Sequence, residues 1–140
     1  MEEIKSAEKS PISSRQRLLT TLSRQEPDRI PLDLGSTQVT GIHAIAYRNL
    51  RAVLGLPIRE VQLSDSVQQL ASPDDDLISR LGVDIRGLFP LNSHNWQVNE
   101  EDDGDYWVYH DEWGIHHRRP KPDGLYYSIF KVPIQAEQLS

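Results

Sequence analysis

Apolar residues recur at helical spacing in three stretches of this chain and at strand spacing in six others. Leu18, Leu19 and Leu22 form a narrow stripe that follows Ser13, and Gln16 stands three positions after that serine, as a capping box requires. Ile42, Ile45, Ala46, Leu50 and Val53 predict a second helix, stopped by Gly55 and Pro57. Ser72-Pro73-Asp74-Asp75 predicts a third helix start, with acids at its positive end. Leu77, Ile78 and Leu81 give that helix its apolar face, and Gly82 its stop. Ile30 to Leu34 and Val83 to Phe89 predict short strands, and the stretch from Val61 to Leu70 fits both an extended piece and a helical turn.

Beyond Phe89 the pattern changes. Trp96 to Val98, Asp105 to His110, Ile115 to Arg119 and Leu125 to Phe130 predict strands, separated by segments rich in turn formers. Nine of the ten aromatic residues lie at Phe89 or later. The expected organisation is a flexible tail over 1–12, a helix-and-strand region over 13–95 and an antiparallel ribbon over 96–130. In the first region, helices alternating with strands are what a parallel sheet with helical crossovers needs.

Composition narrows the function classes. A net charge of −6 argues against nucleic acid, because phosphate binding needs surplus Lys and Arg on one face. No run approaches the ~20 apolar residues of a membrane helix, and Met1 to Pro11 lacks the apolar stretch of a signal peptide. With no cysteine, thiolate nucleophiles and Cys-based zinc sites are excluded for this chain. A cytoplasmic location is the expectation.

The stretch from Arg15-Gln16-Arg17-Leu18-Leu19 through Gln25-Glu26-Pro27-Asp28-Arg29-Ile30-Pro31-Leu32 resembles the opening of the uroporphyrinogen decarboxylase (URO-D) superfamily, in particular its methyltransferase-like branch. The resemblance continues in Leu34-Gly35-Ser36-Thr37, Gly41-Ile42-His43-Ala44, Leu81-Gly82-Val83-Asp84, Asp111-Glu112-Trp113-Gly114 and Lys131-Val132-Pro133-Ile134. It implies an α/β fold, the N-terminal portion of a (β/α)8 TIM barrel with an inserted antiparallel ribbon. A whole barrel takes about 250 residues. The chain is therefore expected to be an N-terminal fragment, inactive alone, whose main partner is the remainder of the barrel.

The resemblance also implies chemistry for the parent protein: cofactor-free decarboxylation of a tetrapyrrole in porphyrin biosynthesis, or corrinoid-dependent methyl transfer to a thiol activated on zinc. The decarboxylases hold substrate carboxylates with arginines in the loop after the first strand and place an Asp after the second. Here Gly35 to Gly41 contains no arginine, and Pro90-Leu91-Asn92 stands where that Asp is expected. The methyltransferase branch is favoured, with zinc and a corrinoid protein as partners of the parent and no cofactor in this chain.

Barrel substrates sit just past the strand ends. Gly35, Ser36 and Thr37 after the first strand, and Asn92 and His94 after the second, are accordingly the candidate substrate-binding residues; no residue is nominated as catalytic. For Gly35 to Thr37 the competing reading is a strand-to-helix turn, and for His94 an exposed loop. Asp84 and Arg86 share a strand face, which predicts an ion pair. His110, His116 and His117 invite a metal reading, but neighbours on a strand point to opposite faces and no third ligand is evident; no metal site is expected. Glu100 to Asp105 is expected as a solvated hairpin tip. Two other architectures fit the same residues: an independent small α+β module that binds a partner through its aromatic ribbon, and a half-barrel that completes itself by homodimerisation.

Overall fold

The computed structural model describes residues 12–90 and 94–134. It contains α1 (Ser14–Leu22), α2 (Ala44–Val53), β1 (Leu63–Asp65), β2 (Leu70–Ala71), α3 (Asp75–Leu81), β3 (Glu101–Asp103), β4 (Tyr106–His110), β5 (His116–Pro120) and β6 (Ser128–Lys131). β1 and β2 form a two-stranded antiparallel sheet, and β3 to β6 form a four-stranded antiparallel meander in sequence order.

This small α+β arrangement overturns the expected barrel portion. Ile30–Leu34 and Val83–Phe89 do lie side by side, and their contacts at Leu32–Asp84 and then Ser36–Gly87 run in the same direction. They nevertheless form no strand ladder. Asp84 N–H donates to the Leu32 carbonyl, but the Leu32 N–H donates to the Asp84 carboxylate rather than to a backbone oxygen. Pro31 has no N–H to give. A side chain has taken the place of the next rung.

Each helix forms where local signals place it. Ser13 and Gln16 close the capping box of α1. The N-cap of α3 is Asp74 rather than Ser72, and its carboxylate serves Tyr47 and Arg51 instead of the helix. All three helices end in the same double hydrogen bond, in which successive N–H groups reach back three and five residues. The residue at that turn needs the left-handed conformation. It is Gly55 (φ 67°) after α2, Gly82 (φ 65°) after α3 and Arg24 (φ 58°) after α1. Arg24→Gly should therefore stabilise the protein by about 0.5–1 kcal/mol, the left-handed strain relieved less the added freedom of the unfolded chain. Urea unfolding of the two proteins checks it.

The buried centre of the first half is Tyr47, Ala71 and Leu77, with Leu34, Ile42, Leu50, Leu54, Leu56, Val61 and Leu81 packed around it. The predicted stripe on α2 is only partly inward, since Ile45 and Val53 are exposed. Tyr47 and Arg51, one turn apart, are buried instead. Arg51 forks onto Asp76 at 2.8 Å through two nitrogens, and its Nη1 also meets Asp74 at 2.8 Å. The Arg51 guanidinium, ahead of the opposing effect of burial, holds the Asp76 carboxyl down at about 2.

In the meander, β3 is the acidic run itself, and the predicted strand over Trp96–Val98 does not form. Cross-strand cations explain this shift: Lys121 Nζ lies 2.6 Å from Asp102, and Arg119 approaches Glu100. The turn is narrower than expected and centres on Gly104, at φ 60°. The inner face stacks Tyr109 on His117 at 4.8 Å and sets Tyr127 edge-on to Tyr109. Tyr127 N–H donates to the Val67 carbonyl, and His43 Nε2 meets the Leu125 carbonyl at 2.8 Å, joining the meander to the first half. No helix among the described residues is long and apolar enough to cross a membrane.

Candidate functional site

The ends of the two extended segments meet at a half-open hollow of about 130 Å³. Leu34, Gly35, Pro73, Ile85, Gly87 and Phe89 give it walls, with Ser72 and Arg86 as polar groups. Two glycines make room for the close contacts here, Gly35 against the Pro73 ring and Gly87 against the backbone of Ser36. Gly35 has φ 80°, and a Cβ there would stand 2.7 Å from the Pro73 ring. A Cβ on Gly87 would stand 2.5 Å from both the Ser36 carbonyl oxygen and the Phe89 ring. Backbone cannot step aside as a side chain tip can, so Gly87→Ala should destabilise the fold by about 1–3 kcal/mol and displace the Phe89 wall. Chemical denaturation measures the first effect and the environment of the Phe89 ring, followed by NMR, the second.

Next in sequence to Ile85 of the hollow, Asp84 belongs to an ionic network whose centre, Arg17 and Asp84, is buried. Arg17, on α1, grips Asp28 through Nε and Nη2 at 2.6 and 2.7 Å and reaches Asp84 with Nη1 at 2.5 Å. Arg29 approaches the same Asp84 at 2.7 and 3.0 Å and donates to the Gly82 carbonyl. The Asp84 side chain is wholly inaccessible. Burial alone would push its carboxyl up. The Leu32 N–H, Ser14, Arg29 and Arg17 together outweigh that effect and hold it well below the usual carboxylate range.

The sequence-predicted residues fare unequally. Gly35 lines the hollow. Ser36 instead closes a local turn, its N–H and hydroxyl donating to Asp33, and Thr37 exchanges hydrogen bonds with Thr40. Neither side chain faces the cavity. His94 is exposed and lies outside the cavity lining. Asn92 falls outside the described residues. The expected Asp84–Arg86 pair is replaced: Asp84 turns to Arg17 and Arg29, while Arg86 meets Asp75 at 2.6 Å.

Sequence reasoning missed Arg86, Gly87 and Phe89 as cavity residues. The available signal was a glycine inside a predicted strand, which marks close backbone approach. Among the described residues no group of three or more His, Cys, Asp or Glu side chains could hold a metal. Comparison with protein-family models, with curated proteins and with solved structures finds no match to this chain.

Proposed function

We propose that this chain is part of a uroporphyrinogen-decarboxylase-like enzyme of the methyltransferase-like branch, and that the hollow between Gly35 and Phe89 faces its substrate. One observation carries the reading. Arg17, Asp28, Arg29, Leu32, Gly82 and Asp84, drawn from two of the stretches that bear the resemblance, belong to a single hydrogen-bonded network centred on the buried Arg17 and Asp84 side chains, although up to 67 positions separate them. Motifs kept apart in sequence and tied together in space behave as one structural unit. In this reading zinc is held by other parts of the parent protein, the corrinoid comes on a separate partner protein, and the chain supplies one wall of the site.

The coding sequence that follows the Ser140 codon tests it. An open frame carrying a His and Cys ligand set is expected, and the resulting protein should move a methyl group from methylcobalamin to a thiol in a zinc-dependent assay. Release of carbon dioxide from uroporphyrinogen by that protein would assign the decarboxylase branch. A stop codon followed by unrelated sequence would overturn the proposal.

The exposed apolar surface of the meander favours a second reading, an independent module that binds a partner. Trp113, Val132 and Ile134 are exposed, and with Ile115 and Pro133 they border a second hollow of about 370 Å³. Cooperative unfolding of the 140-residue chain as a monomer would support this module, whereas an aggregating or molten product would favour the enzyme part. Solution mass separates both from a homodimer.

A further inference from the structure

His110 and His116 stand directly opposite each other on neighbouring antiparallel strands, β4 and β5. The register decides how close they come. Asp111 N–H donates to the Ile115 carbonyl at one end of this pair of strands, and Lys121 N–H donates to the Asp105 carbonyl at the other. Counting inward from either bond by the two-residue repeat makes His110–His116 a pair that exchanges no backbone hydrogen bonds. Such pairs are the closer kind, with Cα atoms about 4.5 Å apart.

Both rings lie on the outer face of the meander. Their centroids are 6.0 Å apart, and the planes are inclined at 52°. Trp96 lies beside His110 at 6.4 Å, and Phe130 meets His116 edge-on at 5.9 Å. His117 points to the opposite face and is committed to Asp111 at 3.1 Å. The chain's adjacent histidines therefore do not form the pair; the cross-strand ones do.

We propose that His110 and His116 form a two-imidazole site for a divalent transition-metal ion of the copper, nickel or zinc type, open to water on its remaining positions. Imidazole nitrogen suits these borderline ions and not magnesium or calcium, which prefer oxygen. Two ligands fixed across a strand pair bind as a chelate, so the second nitrogen adds little ordering cost once the first has bound. The apolar flanks Trp96 and Phe130 limit the directions in which the rings can turn away. The site lies on the ribbon, apart from the Gly35–Phe89 hollow, and does not depend on the reading proposed for that hollow.

Titration of the full chain with copper(II), followed by tryptophan fluorescence and calorimetry, tests the proposal, because bound copper beside Trp96 should quench its emission. One ion per chain is expected. His110→Ala and His116→Ala should each weaken binding by about a hundredfold, the loss of a chelate partner. His94→Ala, a change at an exposed histidine outside the pair, should leave it unaltered. Circular dichroism confirms that each variant keeps its fold, and His110→Gln and His116→Gln, which preserve side-chain bulk, replace any alanine variant that does not. Absence of binding to the full chain, or unchanged binding in either the His110 or the His116 variant, would overturn the assignment.

Discussion

Replacing Asp84 with alanine should lower the free energy of unfolding by about 3 to 5 kcal/mol, the loss expected when one partner of a buried ion pair is removed. The side chain is inaccessible and accepts from two guanidinium groups and the Leu32 N–H. Without it Arg17 keeps Asp28 and the Ile12 carbonyl, Arg29 keeps only carbonyl oxygens, and the segments at Leu32 and Asp84 are left with the single backbone bond from the Asp84 N–H. The acid limb of the stability curve provides a second readout. A carboxyl held below its unfolded value contributes fully above about pH 4, and the contribution fades as the pH falls through the folded value. The protein and its Asp84→Ala variant should therefore differ most near neutrality and converge in strong acid.

Leu77→Ala should cost about 2 to 5 kcal/mol, the range for removing a large aliphatic side chain from a packed interior. Leu77 is completely buried against Tyr47 and Ala71. The consequence exceeds the hydrocarbon lost. α3 is seven residues long, too short to persist by its own hydrogen bonds, so its place depends on this contact and on the Arg51–Asp76 fork. Asp76 would lose its position together with the helix. Thermal unfolding followed by circular dichroism should show a lower midpoint. A change confined to the aromatic signal would mean that the helices outlast their core.

What could be read from the sequence was local. The capping box at Ser13, the stops at Gly55 and Gly82 and the strands over Tyr106–His110 and His116–Pro120 each depend on residues within a turn or a hairpin, and each stands close to where the pattern placed it. Asp84 shows where such reasoning ends. Its nearest cation on the same face was Arg86, yet its partners are Arg17 and Arg29, 67 and 55 positions away, and ion pairs at that distance leave no periodic trace. The acidic stretch was misplaced for a related reason, because like charges read as a solvated tip until Lys121 and Arg119 are brought across from β5 and its end. At the candidate site, Gly35 was legible as a residue past a strand end. Arg86 and Phe89 were not, because their place depends on how two extended segments lie against each other.

The barrel expectation failed on hydrogen bonds rather than on hydrophobicity. The two segments have the apolar residues of buried strands, and Ile30 and Leu88 are almost fully exposed. A carboxylate and a proline occupy the positions where a ladder needs a carbonyl and an N–H.

The meander has two unlike margins. On β3 a newcomer chain would meet three consecutive carboxylates, and on β6, which has no further strand beside it among the described residues, the exposed Ile129 and Phe130. Crowded molecules are thus repelled along one border and tolerated along the other, so any self-association should be directional and should respond to a lysine placed at Ile129 far more than to added salt.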